Sequence, residues 1–422
     1  MTPLKLDQYD CSNVEFPSVV VPRAWNHPLS LMLEDIAVFP TTKQYRQPRL
    51  NDAALHRAWQ KPVVGRMSLP VSLTEIWPDK VSDETQLSKA IASEWEIRLC
   101  NYEGKRINSA TLQLPLNGLS VDEIIQNWWG KVGKGAIETG GTVNFKLRLQ
   151  GENNVLPAFI PEYSNVYLQA INPLDIYFHA SQLSALWRLK SQAVSHLAVD
   201  VLIGAGDAVG IPAAEYVKSL MDLAPDRICL RLPQTTTLAS SKLGQQKDTL
   251  YHVIQLLEDK GYGHLAGGWF VKQGDPWLGA QRISRLILNS AGNWETATTD
   301  WVVVGPSTAS VIGTVQSFNA DEGKYVDFLA EEKLPLVTAR KLPLDMLVRR
   351  AVVEQLLCLG YLDFLTFELA YFIQFDVYFA NELKRLQPLI HAGMMEKRQR
   401  TLWLTESGRL LADFIARQFF TP

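Results

Sequence analysis

The sequence predicts an α/β protein: a mostly parallel sheet with crossover helices, either open or closed into a full or partial barrel, followed by a helical, winged-helix-like appendage. Three observations predict it. Apolar runs of strand length alternate with stretches of helical period from about residue 28 to 310. After about residue 340 the pattern turns helical, interrupted by one short β signal. The 422 residues are 47% apolar and 20% charged, enough to bury a large core at roughly 100–200 residues per domain.

Residues 1–28, punctuated by Pro17, Pro22 and Pro28, read as an arm laid across a domain. The segments PLSLMLEDIAVF (28–39), SATLQLPL (109–116), TVNFKLRLQ (142–150), SNVYLQAI (164–171), HLAVDVLIGA (196–205), DRICLRLP (226–233) and GHLAGGWFV (263–271) read as strands, rich in β-branched and aromatic residues. Between them SVDEIIQNWWGKV (120–132), SQLSALWRLKSQ (181–192), PAAEYVKSLMDLAP (212–225) and KDTLYHVIQLLEDK (247–260) repeat apolar residues at helical spacing. Ser120 with Glu123 has the spacing of a capping box, and Gly261 closes the last helix. Residues 342–364, 375–393 and 405–420 are helical, with the β signal at 394–405. Ligand sites on such a sheet lie where strands end, so the loops after Phe39, Leu116, Gln150, Ile171, Ala205, Pro233 and Val271 are the places to search.

Composition excludes several classes. A net charge of −3 offers no overall basic field for nucleic acid, and Lys397, Arg398 and Arg400 read as a solvated hairpin. Cys11, Cys100, Cys229 and Cys358 are too far apart in sequence for a zinc or iron–sulfur spacing, and read as buried thiols in a reducing cytosol. The N-terminus MTPLKLDQYD lacks the basic and apolar regions of a signal peptide, and the apolar stretch 365–375 is too short to span a bilayer, so a cytoplasmic location is expected. GKVGKG (130–135) follows a helix and lacks the phosphate-loop spacing; GGT (140–142) precedes a strand and reads as a turn. The seven histidines include no HExxH, and no nucleophile-elbow signature occurs. Residue spacing alone shows no catalytic constellation.

DMLVRRAVVEQLLCLGYLDF (345–364), FDVYFANELKRLQPLIHAGMM (375–395) and LTESGRLLADFIA (404–416) closely resemble the C-terminal domain of the oxygen-independent coproporphyrinogen III oxidases, which are radical S-adenosylmethionine (SAM) enzymes. Upstream, 199–230, 261–271 and 299–313 resemble further blocks of that family in order, and HPLSLMLED (27–35) looks like its first barrel strand. The resemblance implies an N-terminal arm at 1–28, a partial, TIM-like (β/α) barrel of radical SAM type at 29–315, and a helical domain at 316–422 covering the barrel mouth.

It also implies what is missing. Radical chemistry in that family needs a CxxxCxxC loop after the first strand, whose thiolates hold a [4Fe–4S] cluster. The resemblance puts Val38, Thr42 and Tyr45 at those positions, and no CxxxCxxC occurs elsewhere. The family's triple glycine is reduced to Gly118 in LPLNGLS (114–120), its ribose-holding acid falls near Arg148, and its Gln-Asp pair becomes Asn172-Pro173; Asp200 matches a family carboxylate. The expectation is therefore a non-catalytic relative with neither [4Fe–4S] nor SAM, binding heme or a porphyrin in the barrel. Arg148, Arg188, Asp200, His264 and Trp269 are the candidate ligand-binding residues, with no catalytic or metal-ligating residue. Two alternatives are a scaffold pairing with an active paralogue, another protein or a second copy of itself, and an enzyme with cluster-independent chemistry built on Asp175, Asp200 and His264.

Overall fold

A computed structural model describes residues 71–419 apart from 101–105, 117–118, 139, 150–155, 171–186, 188, 192–193, 203–212, 232–249, 251, 289–293 and 296–299. Six parallel strands lie side by side in chain order: β1 (Val71–Ile76), β2 (Ile107–Pro115), β3 (Thr142–Leu149), β4 (Asn165–Ala170), β5 (His196–Leu202) and β6 (Arg227–Arg231). A hairpin of β7 (Tyr262–Ala266) and β8 (Trp269–Lys272) joins this edge, with β8 antiparallel to β6. β9 (Ile287–Leu288) and β10 (Trp294–Glu295) form a separate pair. On the other side of β1 lies parallel β11 (Asp300–Val304), followed by antiparallel β12 (Ala309–Ile312), β13 (Val315–Asn319) and β14 (Leu336–Lys341). The fold is α/β with one large, mostly parallel sheet, as the sequence predicts.

Several elements differ from the sequence reading. GHLAGGWFV is a hairpin rather than one strand: Gly267 turns at φ +54, and a Cβ on Gly268 would fall 1.9 Å from the Leu230 carbonyl oxygen. Strand β1 and the helix after it, α1 (Glu84–Cys100), were not among the predicted elements. The predicted first strand, 27–35, lies outside the described residues. No capping box forms at α2 (Val121–Trp128); the Ser120 side chain makes no cap bond, and its backbone N–H donates to Glu84 Oε1 at 2.9 Å. The helix then loosens into a π turn (Trp129–Gly133), where Gly133 makes room for the Trp129 ring. Strands of the main sheet continue to Lys341, past residue 316, where the sequence reading begins its C-terminal domain.

Period-two alternation sorts the strands into two faces. One face, with Leu73, Leu112, Phe145, Leu168, Val199 and Ile228, packs in one core with helical Ile91, Ile125, Val217 and Leu257. The other face is rich in polar residues along β2 to β5. Beyond the sheet, α7 (Leu344–Leu359; earlier helices α3 to α6 are Lys134–Glu138, Ala213–Leu223, Pro276–Arg282 and Glu322–Ala330) ends at Gly360 in the left-handed conformation. Its Val352, Leu356 and Leu357 share a second core with Trp269, Cys229 and the three-stranded wing β15 (Tyr361–Asp363), β16 (Met395–Arg398) and β17 (Thr401–Leu404). Among the described residues no helix is long and apolar enough to cross a membrane.

A buried polar network ties α1 to the strands beside β1. Glu94 accepts from Arg98 Nε at 2.6 Å, Asn319 Nδ2 at 2.9 Å, Tyr325 Oη at 2.5 Å and the Gly305 N–H at 3.1 Å. Nearby, Glu75 accepts from the indoles of Trp77 (2.6 Å) and Trp95 (2.5 Å). Burial outweighs those two donors and pushes the Glu75 carboxyl up to about 7. Arg98→Met would remove the cation paired with the buried Glu94; we expect a loss of about 3–5 kcal/mol in urea unfolding. Because the folded pKa of Glu75 lies above its unfolded value, its contribution to stability is full at low pH and is lost as pH rises from about 4.5 to 7. The pH slope of unfolding free energy across that window should shrink in Glu75→Gln, and an unchanged slope would show that Glu75 is not its source.

Candidate functional site

The polar face resolves into rungs that cross the strands in register. Thr111, Asn144, Asn165 and His196 form the rung nearest the strand starts. Asn144 Nδ2 donates to Thr111 Oγ1 (3.3 Å), Asn165 Nδ2 to Asn144 Oδ1 (2.8 Å), and His196 Nδ1 to Asn165 Oδ1 (2.9 Å). These bonds satisfy amides that have no apolar alternative on a covered face. Partial burial, with the Arg227 charge adding to it, holds the His196 imidazole below its ordinary pKa.

The next rung is Lys146, Tyr167, Ala198 and Arg227. Lys146 Nζ stands 5.9 Å from the Tyr167 ring centroid. Arg227 is bound by Asp275 (Nε–Oδ2 2.7 Å, Nη2–Oδ1 3.3 Å), and its guanidinium carbon stands over the Trp277 ring, 3.5 Å from the centroid. Asp275 also caps α5, accepting from the Trp277 N–H, so this salt bridge fixes the wall of the site. A cavity of about 50 Å³ opens between the two rungs, lined by Asn144, Lys146, Tyr167, Arg227, Trp269 and Trp277. It has room for a few waters.

Arg148, Gln169, Asp200, Cys229 and Trp269 make the third rung, toward the strand ends where ligands bind on parallel sheets. Strand pairs Arg148–Gln169, Asp200–Cys229 and Cys229–Trp269 are in direct register, and Asp200 follows Gln169 by continuing the β4–β5 register. Asp200 is 1% exposed and accepts from Tyr167 Oη at 2.6 Å. Arg148 donates to the Trp77 carbonyl and pairs with Asp79 at 3.1 Å, both in the segment after β1. Burial pulls its pKa down and Asp79 pulls it back; a guanidinium remains charged regardless. Trp269 sits 5.1 Å from Tyr167 and 5.6 Å from Trp277, closing the rung with an aromatic corner.

Three sequence-predicted residues, Arg148, Asp200 and Trp269, thus share one rung although 121 residues separate the first from the last. His264 is not brought to it. It stacks on Phe270 (4.6 Å), which alternates with Trp269 to the opposite side of β8, and its Nε2 donates to the Gly267 carbonyl at 2.7 Å. Burial, reinforced by Arg409, lowers its pKa to about 4, so the ring is neutral near pH 7. Arg188, Asp175, Val38, Thr42 and Tyr45 lie outside the described residues. Lys146, Tyr167 and Gln169 were missed. Their signal was present as polar residues at every second position of TVNFKLRLQ and SNVYLQAI, on strands whose other face is wholly apolar.

No protein-family model matches the chain. The oxygen-independent coproporphyrinogen III oxidase of Escherichia coli (strain K12) is 30% identical over 236 residues, 53% of this chain and 51% of that protein. The corresponding protein of Synechocystis is 26% identical over 293 residues, 66% of this chain and 62% of its own. Similarity in sequence supports homology to the oxygen-independent coproporphyrinogen III oxidases. The chain spans about half the length of the first of these curated relatives. A solved structure described as coproporphyrinogen III oxidase from Escherichia coli, a radical SAM enzyme, superposes with a TM-score of 0.69 at 20% identity, covering 92% of this chain and 98% of its own. That match shows the fold shared with these oxidases.

Tyr167→Phe would remove the hydroxyl that donates to the Asp200 carboxylate on the covered face. A loss of about 1.5–3 kcal/mol in denaturant unfolding is expected, the range for hydrogen bonds to charged groups.

Proposed function

We propose that the chain is a non-catalytic relative of these oxidases, a cluster-free barrel that binds a ligand, with heme or a porphyrin as the ligand class. The observation that carries this reading is the polar face itself. A barrel face serving only as core would be filled with aliphatic side chains, whereas this one holds Lys146, Gln169, Asp200 and Arg227, each no more than 5% exposed. The absence of radical chemistry is supported by donor chemistry. Trp77–Asp83, the segment after β1, reads WPDKVSD and contains no thiol; 27–45 contains none either, and CxxxCxxC is absent from the sequence. Among the described residues no three His, Cys, Asp or Glu side chains cluster as a metal site. These residues do not fit a [4Fe–4S] cluster with its cofactor, and no step is derived through one.

The tetrapyrrole follows from the names of the relatives and from the position of the third rung. A macrocycle is far larger than the 50 Å³ cavity, so it would lie across the strand ends with the Trp269 corner beneath it. Absorbance titration of the purified protein with hemin and with coproporphyrin should give a shifted, saturable Soret band with micromolar or tighter affinity. Iron and sulfide assayed on the same preparation before hemin should both be absent. His264→Gln should leave the band unmoved, because that ring is committed to Gly267. A protein-bound iron–sulfur cluster would overturn the non-catalytic reading, and an unshifted Soret band would overturn the tetrapyrrole.

One surface favours a second reading, a scaffold that docks another protein. On α8 (Phe364–Tyr371) and just beyond it, Leu365, Leu369 and Phe372 follow helical spacing and are 50%, 69% and 95% exposed, with Val377 close in sequence at 70%. If this surface docks a partner or a second copy, Leu369→Asp with Phe372→Ser lowers the sedimentation coefficient of the assembly to that of the monomer while far-UV circular dichroism is unchanged.

A further inference from the structure

We propose that the Arg148–Gln169 step of the third rung receives a neutral group offering a hydrogen-bond acceptor and donor side by side, of the class of a primary carboxamide or a lactam edge. The inference rests on the barrel being a ligand-binding cavity and is independent of the tetrapyrrole.

The two residues face each other across adjacent parallel strands, about 4.8 Å apart by strand spacing. Gln169 is 5% exposed, and among the described residues its Oε1 has no hydrogen-bond partner. Arg148 Nε is likewise buried without a partner. An acceptor and a donor are therefore left unmade on adjacent strands, toward the strand ends. A carboxamide answers both at once: its carbonyl accepts from Arg148 Nε–H and its N–H donates to Gln169 Oε1.

Charge decides against an ionic ligand. The Arg148 guanidinium is already compensated by Asp79 at 3.1 Å and engaged by the Trp77 carbonyl, so its open edge offers a donor with little surplus charge. One strand further on, the buried Asp200 carboxylate would repel an anion. A cation would meet Arg148 instead. Beyond Gln169 the Tyr167 and Trp269 rings, 5.1 Å apart, provide an apolar wall for the flat remainder of the ligand.

Benzamide, benzoate and N,N-dimethylbenzamide, titrated into the full chain by saturation-transfer NMR and calorimetry, test this. They share a ring and differ in donor and charge. Benzamide should bind at least tenfold tighter than the other two. Gln169→Leu should weaken benzamide at least tenfold, while Gln169→Glu, which keeps an acceptor at that point, should stay within about threefold of wild type; Arg148→Met should weaken it as much as Gln169→Leu. Because Arg148 also anchors the segment after β1, the Gln169 pair decides the matter should Arg148→Met fail to fold. Failure of benzamide to bind, equal affinity for all three probes, or indifference to Gln169→Leu would each overturn the proposal and leave ordered water as the occupant. Hemin titration of the unsubstituted chain separates the two readings: a saturable Soret shift with no benzamide binding sinks only this inference, and benzamide binding with an unshifted Soret band sinks only the tetrapyrrole.

Discussion

Everything in the barrel depends on the strict two-residue alternation of six parallel strands. A parallel strand covered on both sides ordinarily reads as a continuous apolar run. Here β2 to β5 alternate, with Ala110, Leu112, Val143, Phe145, Val166, Leu168, Leu197 and Val199 on one face and Thr111, Asn144, Lys146, Asn165, Tyr167 and His196 among their opposites. A one-residue slip of any strand would put leucines into the polar rungs and amides among the helices. Register, core and site are therefore one constraint, and the hydrogen-bonded Thr111–Asn144–Asn165–His196 ladder enforces it from the polar side.

Strand β1 links this constraint to the rest of the sheet. It is flanked by β2 and β11, and its end is held from two directions. On the helix side the Trp77 indole donates to Glu75, beside the Glu94 network that joins α1 to β13 and to the helix Glu322–Ala330. On the polar side the Trp77 carbonyl accepts from Arg148. One residue thus couples the buried carboxylates to the third rung. That rung in turn meets the C-terminal helices, because Cys229 and Trp269 share a core with Val352 and Leu356. Covering the barrel with a helical domain is part of how the site is walled.

Homology to the oxygen-independent coproporphyrinogen III oxidases and a shared fold do not by themselves set the chemistry of this polar face. The sheet supplies a covered face, and the side chains on that face decide its chemistry. Arg148, compensated locally by Asp79, shows how a cation is held on that face without an uncompensated charge being buried.

Much of this was legible before any tertiary structure. Periodicity alone determined the mostly parallel α/β class, the positions of β2 to β6, the turn at Gly261 and the helical C-terminal region with its wing, because each is set by interactions within a few residues. Arg148 and Asp200 were singled out by the family resemblance, while the alternation that puts polar residues on one face of β3 and β4 was there to be read. What the sequence left open depended on residues distant along the chain. The break of 263–271 into two strands is set by the Leu230 carbonyl pressing on Gly268. The Glu123 half of the capping box is displaced because Glu84 takes the Ser120 backbone N–H instead. His264 and Trp269, five residues apart, diverge to opposite faces because a register shift between His264 and Ala266 sets His264 across from Phe270 rather than Val271. The union of Arg148, Gln169, Asp200, Cys229 and Trp269 in one rung was decided by strand register. Only the folded sheet can fix that, since each neighbour along the rung belongs to a different strand.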